Sequence, residues 1–171
     1  MEPDWRIEPL ARHHQRKQFV CGEPELDDYL ARYARQHQES GVARIFVARN
    51  EAQPERVLGY HALTVGSIAK TNLPPEEAKR FPAFPLPVAR VARLAVDRTV
   101  QGQGLGEHLL LDALFRCLRV ADEVGLVAVV VDAKHEHARS FYARYEFTCL
   151  PNQPLTLWLP LRSLRRLFAG S

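Results

Sequence analysis

The densest chemistry in the chain is a run of small residues, Gln101-Gly102-Gln103-Gly104-Leu105-Gly106, with three glycines in five positions. It follows the strand-like segment ending at Val96-Asp97 and opens a stretch of helical period. Glycines let successive backbone N–H groups face one ligand with no Cβ in the way. A helix start adds unpaired donors and partial positive charge. Together they suit a pyrophosphate or a similar anion. The run is not a P-loop, because no Lys-Ser/Thr follows the last glycine. Gly102, Gly104 and Gly106 give G-x-G-x-G, with the third glycine one place early for a dinucleotide fingerprint. The acids about twenty residues on, Asp122 and Glu123, fall inside the next helix and not at a strand end.

Other reactive side chains carry less information. Cys21, Cys117 and Cys149 are odd in number and widely spaced, with no CxxC, which implies a reducing compartment. His13-His14 and His135-Glu136-His137 are the dense histidine spots. Histidines two apart diverge on a helix, so neither reads as a zinc site; both read as solvated surface, and no metal is expected. Arg outnumbers Lys 19 to 4 at a net charge of +3. Guanidinium suits phosphate, but so mild an excess does not by itself name a nucleic-acid partner. No apolar run reaches the roughly 18 residues of a membrane span, and the acidic N-terminus does not read as a signal peptide. The chain reads as a soluble, cytoplasmic single domain over 1–171, with a basic tail at 160–171.

The elements that must position the glycine run follow from periodicity. Leu26, Tyr29, Leu30, Tyr33, Ala34 and His37 mark one face of a helix over Glu25–Gln38, stopped by Ser40-Gly41. Ala43–Ala48 and Val57–Ile68 read as an antiparallel hairpin, and Glu76–Lys79 as a helical turn. The three prolines of Phe81–Pro87 exclude a central strand there, and Val88–Val96 resumes one. A helix then runs to about Glu123, with Gly125 as its stop. Leu126–Val131 is apolar throughout, as in a strand covered on both faces. Glu136–Tyr145 reads as a helix, Phe147–Leu150 and Leu155–Leu159 as strands around a Pro151–Pro154 break. Leu161–Phe168 is a short basic helix or a frayed end. The order predicts a mixed sheet with helices packed on it, an α/β (α+β) fold.

Taken together, these marks resemble the GCN5-related N-acetyltransferase (GNAT) superfamily. Its acetyl-CoA signature, Q/R-x-x-G-x-G/A, is matched by Gln101, Gly104 and Gly106 after Leu94-Ala95-Val96. Asp132-Ala133-Lys134, Ala138, Phe141-Tyr142 and Phe147 match its second half. The chain is more similar still to the TacT-like branch of type II toxin acetyltransferases. The shared marks are Phe19-x-Cys21-Gly22, Leu26-Asp27-x-Tyr29-Leu30, Leu58-Gly59-Tyr60, Ala92 to Asp97 and Val131 to Lys134, spanning Phe19 to about Leu159. The resemblance implies a sheet of about six to seven strands with helices on both faces and splayed central strands. It implies acetyl-CoA as cosubstrate, the α-amine of aminoacyl-tRNA as acceptor, and a ribbon-helix-helix antitoxin as partner.

The resemblance also implies roles. Leu94, Ala95, Val96, Gln101, Gly102, Gln103, Gly104, Leu105, Gly106, Ala138 and Phe141 would line the acetyl-CoA site. Tyr142 is the candidate general acid, its ordinary phenol near 10 against a thiol near 8.5; packing of the Phe141-Tyr142 pair on the sheet is the competing reading. Glu107 reads as a helix cap, and no general base declares itself. Arg93, Arg90, Arg44 and Arg35 are candidates for tRNA phosphate. Two other functions stay open at this level: acetylation of a small-molecule or protein amine, and a non-catalytic coenzyme A-binding or antitoxin-docking module. Leu155–Leu159 and Phe81–Leu86 offer either a homodimer face or packing within the monomer.

Overall fold

The structure is a computed structural model that describes residues 3–169. Met1, Glu2, Gly170 and Ser171, the ends of the expected 1–171 domain and of its 160–171 tail, lie outside the described residues. Seven strands follow one another as β1 (Trp5–Pro9), β2 (Arg44–Asn50), β3 (Gly59–Ile68), β4 (Leu86–Val96), β5 (Ala128–Asp132), β6 (Thr148–Leu150) and β7 (Gln153–Pro160). Their order in the sheet is β1-β2-β3-β4-β5-β7-β6. The helices are α1 (Pro24–Asp28), α2 (Ala34–Ser40), α3 (Pro75–Ala78), α4 (Leu105–Glu123), α5 (Glu136–Ala143) and α6 (Leu161–Leu167), with a π-helical turn, Tyr29–Tyr33, joining α1 to α2. No helix among the described residues is long and apolar enough to cross a membrane. The chain divides into two compact units, 1–64 with 92–113, and 65–91 with 114–171.

In the first unit, β2 pairs antiparallel with β1 and with β3. Alternation along β2 sends Ile45 and Val47 into a core with Leu26, Tyr29, Leu30, Ala34 and Tyr60 from the N-terminal helices and β3. Its neighbour Ala48 joins Leu58, Leu105 and Leu109 in a second cluster. Each buried Leu or Ile contributes about 1.5–3 kcal/mol over exposure. Gly59 is fixed by this second contact: a Cβ there would lie 2.8 Å from Leu109 Cδ1 and 3.0 Å from the Ala95 carbonyl oxygen. Two features depart from the sequence reading. β1 was not anticipated, although Trp5, Ile7 and Pro9 alternate with Arg6 and Glu8 as a strand should. Tyr33, expected on the buried helical stripe, is exposed, because the π turn inserts one residue per turn beyond the α spacing and rotates the face. Gly41 closes α2 at φ +83°, the left-handed cap expected of Ser40-Gly41.

In the second unit, β5 is covered on both faces, with Val129, Val130 and Val131 fully buried. It runs parallel to β4 over Val88–Val91 and antiparallel to β7. The core gathers Ile68, Leu73, Leu86, Val88, Val130, Leu150 and Trp158. β4 begins earlier than expected and includes Pro87, which is exposed and whose carbonyl accepts from Val127 N–H at 2.9 Å; a proline's missing donor is harmless where only its acceptor is used. β7 likewise starts at Gln153, taking in Pro154 after a turn in which Asn152 adopts φ 61°. Leu157, Trp158 and Leu159 are buried inside the monomer, which overturns the dimer-face reading of Leu155–Leu159. The C-terminal segment is not frayed. α6 buries Leu164, Arg162 grips both carboxylate oxygens of Glu77, and Arg166 pairs with Glu146.

Candidate active site

In the first unit β4 runs out at Val96, turns through Asp97 and the short 3₁₀ segment Arg98–Val100, and reaches the glycine run. Gly102 and Gly104 adopt φ +80° and +92°, and a Cβ on either would meet nothing within 4 Å. Backbone conformation, not crowding, therefore selects glycine at both. Gly106 lies in the first turn of α4, where its φ is not positive. His108 N–H to Gly104 O, at 3.2 Å, closes that first turn. The N–H groups of Leu105, Gly106 and Glu107 stand at the helix's positive end, as an anion site requires, and the Glu107 carboxylate complements that end.

The Gln101 side chain does something the motif did not reveal. Its Nε2 donates to Cys21 O at 2.7 Å and to Val96 O at 2.9 Å, so the amide faces the protein's own backbone. Asp97 reads from the sequence as the end of a strand; in the structure it is buried and accepts from Val20 N–H (3.0 Å), Thr99 N–H (3.1 Å) and Thr99 Oγ1 (2.7 Å). Burial alone would raise its pKa; the bonds from Thr99 and Val20 outweigh that and hold it below the usual carboxylate range. The signal was present in Asp97-x-Thr99, the spacing of an Asx turn.

Arg93 and the N-terminal helices meet in an aromatic cluster. The Arg93 guanidinium lies 3.7 Å from the centre of the Tyr29 ring. Tyr29 in turn stacks toward Tyr60 and bonds His37 Nδ1 through its hydroxyl at 3.0 Å. Tyr60 donates to Leu26 O at 2.6 Å, and burial above all pushes its phenol far up in pKa. Arg93 has no carboxylate within ion-pair range among the described residues, unlike two other cationic candidates: Arg35 bonds Glu39 at 3.1 Å, and in the second unit Arg90 pairs with Asp132. Arg44 is exposed, 5.9 Å from the Phe46 ring. Cys21 and Cys117 are pushed up to about 12, by burial in both and by Asp27 as well in Cys21, so neither is poised as a thiolate nucleophile.

In the second unit α5 begins at His135, whose Nδ1 accepts from Ala138 N–H at 3.2 Å as an N-cap. This places Ala138 in the first turn and Phe141 and Tyr142 in the last. The Tyr142 ring is 8% exposed, edge-on to Phe141 and Phe147. Packing and chemistry are thus not alternatives at this position, because the ring packs while the hydroxyl makes no hydrogen bond among the described residues. Burial, and then the negative charge of Asp132, push the phenol up to about 12. It is fully protonated at neutral pH, and a weaker acid than the sequence alone suggested.

The histidine pair at 13–14 also departs from its reading. His14 is buried and not solvated, and it lies with Glu8 and His13 in a group whose ligand-type atoms are within 4.8 Å of one another. Its Nδ1 accepts from Ala11 N–H at 2.9 Å. The neutral ring therefore carries its proton on Nε2, which faces Glu8 Oε2 at 3.3 Å. A nitrogen bearing a proton has no lone pair for a metal, so the group reads as a buried polar contact.

Residues 41–149 match the family model described as the acetyltransferase (GNAT) domain. The chain is 44% identical over 149 residues, 87% of each chain, to the tRNA-acetylating toxin of Mycobacterium tuberculosis. It is 29% identical over 170 residues to the probable toxin TacT of Sinorhizobium fredii, covering 94% of this chain and 93% of the other. Among solved structures, AtaT complexed with acetyl-methionyl-tRNAfMet superposes with a TM-score of 0.89 at 28% identity, covering 96% of this chain and 99% of that one.

Proposed function

This chain belongs to the acetyltransferase (GNAT) family, and from that premise we propose that it moves the acetyl group of acetyl-CoA onto the α-amine of aminoacyl-tRNA and so stops translation. The observation that carries the reading is the 44% identity to a tRNA-acetylating toxin over 87% of both chains. AtaT, solved with the acetylated product tRNA and with acetyl-CoA, supports the same donor and acceptor here. Structures of AtaT with the C-terminus of its antitoxin AtaR support an antitoxin partner for this chain, and the ribbon-helix-helix class that the resemblance implies is part of the proposal. With charged tRNA as acceptor, a cytoplasmic location is part of the same proposal.

In this reaction the amine nitrogen attacks the thioester carbonyl carbon, the C–S bond breaks, and one proton leaves nitrogen while one reaches sulfur. An aminoacyl ester's α-amine titrates near the α-amino range of about 7.7–8.0 or below, so much of it is neutral at physiological pH without a dedicated base. The amides of Gly102–Gly106 and the start of α4 hold the pyrophosphate. Backbone groups of Leu94, Ala95 and Val96 take the pantetheine and the acetyl oxygen; an oxyanion donor of this kind contributes about 2.7–4 kcal/mol. Ala138 and Phe141 line the acetyl-CoA site, and the Tyr142 hydroxyl donates to the leaving sulfur. Arg93, stacked on Tyr29, takes phosphate at the acceptor end, with Arg44 outside it; Arg90 and Arg35 would first have to release Asp132 and Glu39.

The decisive experiment supplies purified protein and acetyl-CoA to a cell-free translation system. Synthesis should stop, and charged tRNA should accumulate with a blocked amine that peptidyl-tRNA hydrolase removes. Acetylation of free amines with translation untouched would instead assign a small-molecule or protein acceptor. Arg93→Ala should weaken tRNA acetylation and leave coenzyme A affinity intact; equal loss of both would remove Arg93 from the acceptor side.

A further inference from the structure

We propose that Gln101, the first residue of the acetyl-CoA signature, is a positioning residue for the acceptor side of the reaction and not a contact to the cofactor. The functional half of this inference rests on the aminoacyl-tRNA reading above; the structural half does not. One amide nitrogen spends both hydrogens on two backbone carbonyls, Cys21 O at 2.7 Å and Val96 O at 2.9 Å. The first belongs to a segment 80 residues away in sequence, the second to the end of β4. Gln101 therefore staples the Val20–Gly22 segment to the strand that leads into the glycine run.

What hangs from that segment makes the staple matter. Cys21 N–H donates to Asp27 Oδ1 at 2.8 Å, tying the segment ahead of α1 to that helix's last turn. Leu26 O takes the Tyr60 hydroxyl at 2.6 Å, and the π turn that follows presents Tyr29 to the Arg93 guanidinium. The residue on the other side of Cys21 is tied independently, with Val20 N–H on Asp97 Oδ2 (3.0 Å) and Val20 O taking Arg98 N–H (2.8 Å). The segment is thus held at two consecutive residues, by Asp97 and by Gln101. The Cys21 carbonyl is held by a side chain alone. Breaking the Gln101 bonds frees that carbonyl and loosens α1, hence Tyr29, hence Arg93, while the glycine amides keep their own backbone geometry.

The test compares Gln101→Met, nearly isosteric and without donors, with Gln101→Arg, whose guanidinium can again donate to both carbonyls. In Gln101→Met, the KM for bulk charged tRNA should rise about tenfold, the loss expected when one hydrogen bond disappears and strands an acceptor. Calorimetric affinity for coenzyme A should stay within about threefold by the same reasoning. Amide hydrogen exchange should quicken over residues 20–33, and Gln101→Arg should restore the protection. A fall in coenzyme A affinity matching the rise in KM would make Gln101 a cofactor contact and overturn the proposal. Unchanged exchange over 20–33 would overturn it too. Wild-type protein inert toward charged tRNA would refute the function, while the exchange comparison would still decide the staple.

Discussion

Tyr142→Phe isolates the phenol, because the ring keeps its contacts with Phe141 and Phe147 and the hydroxyl takes no protein hydrogen bond among the described residues. The variant should fold with stability within about 0.5 kcal/mol of wild type, as a change touching no packing or bond should. Its effect on catalysis follows from the phenol standing at about 12. Against a thiol near 8.5, complete proton transfer is uphill by about 3.5 pH units, or about 5 kcal/mol at 1.36 kcal/mol per unit. Tyr142 therefore helps by a hydrogen bond that strengthens as charge builds on sulfur. General acids contribute 10²- to 10⁴-fold, most when matched to the working pH, so the loss expected here is at the low end, about 10²-fold. Single-turnover acetylation of charged tRNA with saturating acetyl-CoA measures it directly. A difference titration of phenolate absorbance, wild type against Tyr142→Phe, should place the missing phenol well above 10. Asp132→Asn should lower that value, since a negative charge beside a phenol disfavours phenolate. Wild-type rates from Tyr142→Phe would end the acid assignment and leave the residue to packing.

Gly104→Ala must carry a side chain at φ +92°. Left-handed backbone costs an L residue about 1–2 kcal/mol, so coenzyme A should bind about five- to thirtyfold more weakly, and unaltered calorimetry would show the turn is not the anion site. Gly59→Ala puts a methyl 2.8 Å from Leu109 Cδ1 and 3.0 Å from the Ala95 carbonyl oxygen; thermal unfolding should report a loss of about 1–3 kcal/mol, the cost of overpacking, and an unmoved Tm would mean that β4 yields freely there. Asp97 is depressed in the folded state, so its stabilisation is present above the unfolded value near 3.9 and disappears as pH falls through the lower folded value. Urea midpoints of wild type and Asp97→Asn should therefore differ most at neutral pH, begin to close as pH falls below about 4 and meet only below the lower folded value; a constant gap would show that the carboxylate's charge is irrelevant.

Period and turn chemistry made most of the fold legible. The β-rich run Ala43–Ala48 announced β2, the apolar run to Val131 announced a strand covered on both faces, and Gly41 marked a helix end that the structure closes at φ +83°. The misses have two causes, a long-range partner that overrides a local rule and a local geometry that apolar spacing does not resolve. Trp5–Pro9 is too short to stand alone and becomes a strand only by pairing with β2. Pro87 and Pro154 look like strand breakers, yet each occupies a strand position that does not call on its absent N–H. The helix that seemed uniform at 3.6 residues per turn contains a π turn, which a pattern of apolar positions cannot distinguish from α until Tyr33 is seen in solvent.

The candidate site divides the same way. Backbone chemistry was readable, because a positive φ favours glycine whatever its neighbours, and Gly102 and Gly104 both adopt one. Side-chain direction was not. Gln101 and Gly104 belong to one six-residue motif, but only the glycine's conformation is dictated locally. The glutamine's role is set by a carbonyl 80 residues away, a distance over which spacing carries no information. His14 escapes notice at short range too, because its burial and proton position depend on how Ala11 and Glu8 fold over it. A motif in this chain thus specifies where amides point and leaves open what its side chains hold. In this fold Asp97 and Gln101 reach away from the glycine amides and tie the Val20–Gly22 segment to the end of β4.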